Sequence, residues 1–381
     1  MSFLSGRVTF LRFRVDGPKP LVFTGEHLGR LEEFKSGREK IASADVIDYG
    51  WTAGAHNLDV AFEPAKNIVN DALCVELCVE FDKLPADKLK AYYEVDLKAL
   101  AAQNPTGLPN AKQKREAKES ARDRLEDEAK DGRYRKRKCM PMLWDATSNE
   151  VLFGVTSYAH VDRLVSLFQQ TFGFFLVPVT ASNCVRATDK MVYADAAPTV
   201  FVPAASADVA WIADESSRDF LGNEFILWLW HLSDTTSDTM KLSDGSDVTF
   251  MLSKSLVLDC PRGETGRNTL RHENPTRLPE AKRAVQSGKL PRKSGLIVVR
   301  NDEQYEFAIQ AENLSIGSGK LPKPPDDVVQ ARAKLEERIR MIRDLVNTVD
   351  LMYRDFLRVR LSPSWTEFAG KMNKWLMAPI K

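Results

Sequence analysis

Residues 133–155 have the sequence RYRKRKCMPMLWDATSNEVLFGV, and they decide the fold expected for the centre of the chain. Two strand-like runs, residues 133–144 and 151–155, flank the turn-forming residues 145–149, DATSN. Two such runs joined by a short polar turn are typical of a β-hairpin. The stretch therefore predicts two antiparallel strands, the first of which begins in a run of basic residues.

Further strands and helices are predicted on both sides of this hairpin. Strand patterns, either alternating or continuously apolar, occur in residues 8–15, 67–81, 174–179, 248–260 and 296–314. Helical spacing of apolar residues occurs in residues 26–34, 85–100 and 159–172. The mixture of the two patterns predicts an α+β fold.

The C-terminal part adds long helical patterns. Residues 219–232 are apolar nearly all round, which favours a core helix over a subunit interface, and Glu224 within them must be paired or lie at an edge. No Gly or Pro interrupts residues 327–360, so a helix of about nine turns is predicted there, followed by a last helix with Trp365 and Trp375.

The overall charge excludes a uniformly basic protein. Lys and Arg number 54 and Asp and Glu number 53, so the formal net charge is +1 and any affinity for nucleic acid must come from local clusters. No uncharged apolar run approaches the roughly 18 residues of a membrane span, and we expect a cytoplasmic protein. The five cysteines are scattered, so we expect reduced thiols.

Signatures of enzyme chemistry are weak. The five histidines form no i, i+4 pair for zinc, and Gly317-Ser318-Gly319-Lys320 lacks the remaining residues of a phosphate-binding loop. Glu76, Glu80 and Asp82 share one strand face, which is the arrangement a metal-dependent nuclease needs but is more often a solvated face. We therefore predict a non-catalytic protein with no metal and no cofactor.

Basic residues outnumber acidic ones between residues 110 and 138. Lys114, Lys118 and Arg122 recur at helical i, i+4 spacing with Lys112 and Arg115 beside them, which predicts a basic stripe suited to a phosphate backbone. The alternative is a solvated helix with internal salt bridges, which would be Lys112–Glu116, Arg115–Glu119 and Arg122–Glu126. Both interpretations remain open.

A second basic cluster follows that helix directly. It consists of Arg133, Arg135, Lys136, Arg137 and Lys138, and Tyr134 within it has a ring that can stack on a base or sugar. Smaller basic groups include Lys289 and Lys320, where ordinary solvated charge is the favoured interpretation. The two clusters together predict the nucleic-acid-binding surface.

The order of several short pieces along the chain is itself informative. In the first half these pieces are Val8–Val15, Gly50-Trp51, Leu84-Pro85, the lysine-rich helix, residues 153–157, and Phe172-Gly173 before Leu176-Val177-Pro178. In the second half they are Ser287-Gly288-Lys289, residues 296–299, Tyr305-Glu306-Phe307, and Leu314-Ser315-Ile316 before Lys320-Leu321-Pro322. This order resembles the RdgC family of recombination-associated bacterial DNA-binding proteins, from which residues 220–230 and the long C-terminal helices depart.

The resemblance implies a fold and a function. The fold would be mixed antiparallel sheets with helices, in a homodimer joined head to head and tail to tail into a ring. Duplex DNA would occupy the basic central hole without sequence preference, and the protein would modulate RecA-dependent recombination or replication in the nucleoid. The binding positions carried over are Lys112, Lys114, Arg115, Lys118, Arg122, Lys289 and Lys320.

Three hypotheses about function result, in decreasing order of preference. The first is a sequence-independent DNA-binding protein, and the second is a metal-dependent nuclease using Glu76, Glu80 and Asp82. The third is a scaffold whose C-terminal helix binds an acidic partner or packs internally through Arg338, Arg340, Arg343, Arg354, Arg358 and Arg360. The expected regions are an N-terminal α+β region (1–105), a basic helical finger (106–138), a central α+β region (139–215), a second α+β region (216–322) and C-terminal helices (323–381).

Overall fold

The computed structural model describes residues 3–37, 48–185, 196–199, 201, 219–260, 266–326 and 328–379. Its strands are β1 (Val8–Asp16), β2 (Tyr49–Thr52), β3 (Ile68–Val69), β4 (Ala72–Asp82), β5 (Arg135–Asp145), β6 (Glu150–Phe153), β7 (Phe175–Pro178), β8 (Thr239–Lys241), β9 (Asp247–Asp259), β10 (Arg267–His272), β11 (Leu290–Arg300), β12 (Glu303–Gln310) and β13 (Ile316–Lys320). Its α-helices are α1 (Gly25–Glu33), α2 (Pro64–Asn67), α3 (Ala86–Ala101), α4 (Ala111–Ala129), α5 (Val161–Phe172), α6 (Phe220–Thr235), α7 (Pro279–Gln286), α8 (Ala331–Arg360) and α9 (Trp365–Met377). The predicted α+β class and the β5–β6 hairpin are confirmed.

The described strands form one sheet in the order β10-β9-β11-β12-β13-β1-β6-β5-β4-β2. Pairs between neighbouring strands are antiparallel, and β3, β7 and β8 add to β4, β1 and β9. Strand β1 joins the two halves because Val8 and Phe10 pair with β13 whereas Leu11 to Arg14 pair with β6. The predicted boundary between residues 215 and 216 falls within residues 202–218, which lie outside the described part of the chain.

The two faces of this sheet are covered differently. Helices α6, α7, α8 and α9 cover the face we call the inner face, where Phe10, Phe250 and Val298 are buried. On the opposite, outer face, α1 and α5 cover β1, β4, β5 and β6 around Phe13 and Trp144. Neither hydrophobic cluster of described residues includes the outer-facing side chains of β9, β11 and β12. We call that part of the outer face the bare face: Met251 and Lys254 are exposed there and Ile297 and Ala308 are half-buried, so it is open to solvent.

Helix α6 is the core helix that its all-round apolar pattern predicts. Its residues from Phe220 to His231 are mostly buried, and a Cβ added at Gly222 would lie 1.8 Å from the Ala311 carbonyl oxygen. Glu224 is buried but paired, because Arg360 of α8 donates to one carboxylate oxygen and the Thr199 amide donates to the other at 2.8 Å.

No helix in the described part of the chain is both long and apolar enough to cross a bilayer.

Two cysteines form a disulfide across the sheet. Cys78 of β4 and Cys139 of β5 are opposite each other in register, with their Cα atoms 4.0 Å apart. The expectation of reduced thiols throughout the chain is therefore wrong for this pair, whereas Cys74 and Cys184 are buried thiols. The two cysteines are 61 residues apart in sequence. They meet because the chain leaves the sheet at the end of β4 and returns to it as the neighbouring strand β5.

Candidate nucleic-acid interface

The basic segment forms half of a helical hairpin. Helix α4 packs antiparallel on α3. From here the finger means this whole hairpin, residues 86–129, which begins before the predicted basic helical finger (106–138) and ends before β5. The packed face of α4 has mostly small side chains at every fourth position, the three alanines Ala117, Ala121 and Ala129 with Leu125 between them. Small residues let two helices approach closely without a large apolar stripe. The finger belongs to neither hydrophobic cluster of described residues.

The start of α4 is fixed immediately before its basic stripe. Asn110 caps the helix by accepting a hydrogen bond from the Gln113 amide at 2.9 Å, while the Gln113 side chain accepts one from the Asn110 amide at 3.0 Å. Gln113 also donates to the Leu100 carbonyl of α3 at 3.1 Å. This reciprocal cap defines where the helix begins and joins it to its neighbour.

A carboxylate holds the base of the finger. Glu128 accepts hydrogen bonds from the hydroxyls of Tyr92 on α3 and Tyr134 before β5, and Lys88 lies 3.4 Å away. The two tyrosine hydrogen bonds lower the pKa of Glu128 to about 2. The Tyr134 hydroxyl thus has a partner within the protein, and stacking of its ring on a base or sugar stays a prediction.

The basic stripe is exposed and largely unpaired. Lys112, Lys114, Arg115 and Lys118 are all exposed, and among the described residues no carboxylate lies within ion-pairing distance of any of them. Of the three salt bridges that would make α4 a self-neutralised helix, only Arg122–Glu126 forms, at 2.7 Å. Lys118 and Arg122 each follow a packed alanine by one residue, about 100° round the helix, so the stripe runs beside the α3 contact.

The basic run on β5 is divided between the two faces of the sheet. Arg135 and Arg137 share a face with Glu80 and Asp82, because these residues are opposite each other in the β4–β5 register. Arg137 forms an ion pair with Glu80, and Arg135 lies 3.9 Å from Asp82 and 4.0 Å from Glu80. Both arginines therefore have acidic neighbours, whereas Arg133 before the strand bonds to Asp131.

The remaining lysines of that run are exposed on the outer face. Lys138 is opposite Val79, which is buried against α5 and its neighbours, and Lys136 shares its face. The Lys138 ammonium is 3.3 Å from Nε2 of His160, and Arg163 is 3.1 Å from Nδ1 of the same ring. Burial lowers the pKa of His160, and the two cations lower it further. Sequence reasoning missed His160 and Arg163 because they lie more than 20 residues from Lys138.

The two carried-over lysines of the second half differ in exposure. Lys289 is 8% exposed and its ammonium bonds to the Asn268 side chain, so it is not available to a phosphate here. We therefore leave it out of the proposed surface. Lys320 is exposed on β13, opposite Glu306 of β12.

The carboxylates of the nuclease hypothesis are not arranged around a metal site. Glu80 and Asp82 face arginines, and Glu76 lies beside Gly54, where burial raises the pKa of its carboxyl. Among the described residues, no group of three or more His, Cys, Asp or Glu side chains is placed to hold a metal ion. No observation in the described chain favours the nuclease hypothesis.

The arginines of α8 are used within the protein. Arg338 donates to the Phe3 carbonyl at 2.6 Å, Arg343 binds Asp145 at 2.6 Å, and Arg360 binds Glu224. Arg340 pairs with Glu337 and Glu303. Of the two alternatives in the scaffold hypothesis, these contacts favour internal packing over an acidic partner.

Comparison with protein-family models and with curated proteins finds no match for this chain. Function is therefore inferred from the arrangement of charges. Around the finger, that arrangement separates cations with acidic neighbours, such as Arg122, Arg133 and Arg137, from exposed cations without them.

Proposed function

We propose that the protein binds duplex DNA through its phosphate backbone, without sequence preference and without catalysis, in the manner of the RdgC family. One observation supports this above all: Lys112, Lys114, Arg115 and Lys118 are exposed on one helix with no carboxylate partner among the described residues. A helix that exists only as a solvated face would use its neighbouring acids, and the predicted partners Glu116 and Glu119 lie one turn away.

Exposed cations of this kind suit phosphates rather than bases. Lysine ammonium groups act as point charges, and neutralising a phosphate releases condensed counterions, which supplies affinity that does not depend on sequence. Lys136 and Lys138 extend the charged surface from the finger onto β5. Base-specific readout would instead need side chains held against base edges in a groove.

The resemblance extends the proposal from DNA binding to assembly and cellular role. In the RdgC manner, two copies would close around the duplex, and occupancy of DNA would restrain RecA-promoted recombination in the nucleoid. These two steps rest on the order of sequence pieces given above and not on the geometry of the finger.

The test is a titration of a fluorescent mixed-sequence duplex at several salt concentrations, followed by anisotropy. Replacing Lys112, Lys114, Arg115 and Lys118 together by Gln is expected to weaken binding to all sequences. The slope of log K against log salt should fall by about 0.9 for each phosphate that the variant no longer neutralises. Scrambling the duplex should leave both slopes unchanged.

A matched control removes the same charge elsewhere. Lys19, Lys241, Lys371 and Lys374 are exposed and distant in sequence from the finger, so their replacement by Gln should leave the slope as in the wild type. Equal losses of affinity in both quadruple variants would point to non-specific attraction to net charge. Absence of binding by the wild type at low salt would contradict the proposal outright.

A further inference from the structure

The bare face carries a basic depression of its own. A cavity of about 280 Å³ lies over β9, β11 and β12, and Arg7, Lys254, Lys293 and Glu306 are among the residues that line it. Glu306 forms an ion pair with Lys254, and Lys320 stands opposite it in the β12–β13 register. Lys254, Lys320 and Arg7 thus surround one carboxylate, and Lys293, opposite Gln310, lines the same depression. This is a local excess of positive charge that the overall net charge conceals.

The position of Arg7 is fixed by the strand edge. Its guanidinium donates to the Ser318 carbonyl at 3.2 Å, and the Ser318 amide donates to the Thr9 hydroxyl at 2.9 Å. The pKa of Glu306 lies below its usual value, chiefly because Lys254 donates a hydrogen bond to it, with Lys320 and Arg7 adding to the effect. Lys254, Lys320 and Arg7 therefore all lie close enough to Glu306 to stabilise its charged form.

This depression lies on the same side of the sheet as the free lysines of β5. Lys138 lies on the outer face, because it is opposite Val79 of the cluster that packs on α5. Leu11 of β1 belongs to the same cluster, and because side chains alternate along a strand, Thr9 also lies on the outer face. At the junction, the Tyr158 hydroxyl is 3.5 Å from the Asn313 side chain, and Tyr158 begins the short helix that ends at His160. Basic groups thus flank both sides of the junction between the covered and bare parts of the outer face.

The distance between the two groups suits a duplex. Four strand steps separate β12 from β5 in the sheet order, which corresponds to about 19 Å at about 4.8 Å for each step. A duplex carries roughly eleven phosphate charges over that length, at one charge for about 1.7 Å of its axis. Small residues between the cations, Gly295 and Ala308, leave the sheet surface low enough for a backbone to approach.

We propose that the bare face is a second phosphate-binding surface. One duplex would contact Lys136 and Lys138 as well as the depression lined by Arg7, Lys254 and Lys293, together with the neighbouring Lys320. This inference rests on the proposed function and adds a path for the DNA. Its occupant is the phosphate backbone, because the excess of cations around one carboxylate complements a polyanion.

The first experiment neutralises the depression. Arg7, Lys254, Lys293 and Lys320 are replaced together by Gln, and a 30-base-pair duplex is titrated at several salt concentrations by anisotropy. We expect the slope of log K against log salt to fall by about 2 to 4, at about 0.9 for each phosphate left without its cation, and to fall further when the finger variant is added. Circular dichroism and melting curves confirm that each variant is folded.

The second experiment removes the carboxylate instead. Glu306→Gln takes away the only acid among the described residues that line the depression, so DNA should bind roughly two- to fivefold tighter at low salt. A purely structural role for Glu306 would give unchanged or weaker binding, because the variant loses its ion pair with Lys254.

The outcomes separate this inference from the proposed function. If the finger variant weakens binding while the depression variant and Glu306→Gln both bind as the wild type does, the inference fails and the proposed function stands. If the wild type binds no DNA but the depression binds a polyglutamate peptide, the occupant is an acidic protein segment and both proposals are wrong. A reduced slope in the depression variant together with tighter binding by Glu306→Gln supports the inference.

Discussion

Glu128 shows how a single residue positions the basic stripe. It accepts hydrogen bonds from Tyr92 on one helix of the finger and from Tyr134 at the start of β5, so it links the finger to the sheet. The arginine and lysine side chains of α4 are useful to a ligand only if the helix that carries them has a defined orientation. A carboxylate with two hydroxyl donors supplies that orientation at the base of the finger.

The link should depend on pH in a definite direction. The pKa of Glu128 is about 2 in the folded protein and near 4.5 when the residue is unperturbed, so its contribution is complete above about pH 4.5 and is lost as the pH falls through 2. Glu128→Gln is expected to speed hydrogen exchange in α3 and α4 at pH 6, measured relative to amides of β9. This difference from the wild type should shrink below pH 4, and a difference independent of pH would show that charge is not involved. Glu119→Gln, at an exposed site, is the control.

At the scale of elements, the disulfide closes the loop of chain that contains the finger. Cys78 and Cys139 pair on adjacent strands, and the chain between them forms α3, α4 and the basic start of β5. Tying a loop of this length restricts the unfolded chain. Because eleven residues of each strand are paired in the β4–β5 register, we expect the strands to stay paired when the disulfide is reduced.

Replacing both Cys78 and Cys139 by Ser is expected to lower the free energy of unfolding by about 4 kcal/mol, by the loop-closure relation. Urea unfolding with and without reductant measures this change. Reductant should shift the midpoint of the wild type toward that of the double variant and leave the variant unchanged. Identical midpoints for the oxidised wild type and the variant would contradict a stabilising disulfide.

The elements were more predictable than the contacts between them. Signals within one segment predicted the β5–β6 hairpin, α6 and α8, because each was local: two strand-like runs around a polar turn, a run that is apolar nearly all round, and a long stretch without Gly or Pro. The neutralisation of Arg135 and Arg137 depends on the register between β4 and β5, and the burial of Lys289 depends on Asn268 of another strand. Neither contact can be predicted from the spacing of residues within one segment. The number of basic residues in a run therefore overestimates the charge that the folded protein leaves without an acidic or polar partner.

At the scale of the whole molecule, β1 and α8 join the two halves into one body. Arg12 of β1 is 2% exposed and donates to Glu150 of β6 at 2.9 Å and to Asp350 of α8 at 2.6 Å. Arg343 of the same helix reaches Asp145 at the end of β5. A sheet that continues through β1 and a helix that contacts both halves should unfold together, as one cooperative unit.

Arg12→Ala tests that cooperativity, because it leaves Glu150 and Asp350 in a largely buried site without their cation. Removing one partner of a buried ion pair costs about 3 to 5 kcal/mol, whereas Arg358→Ala, which removes an exposed guanidinium from its pair with the half-buried Asp355, should cost less than about 1 kcal/mol. Urea unfolding followed by tryptophan fluorescence and by circular dichroism should give coincident transitions that shift together in Arg12→Ala. Two transitions, of which only one shifts, would show instead that the halves unfold independently. Below the transition, DNA binding by Arg12→Ala should match the wild type, since Arg12 orders the scaffold and lies beneath the surface that carries the free cations.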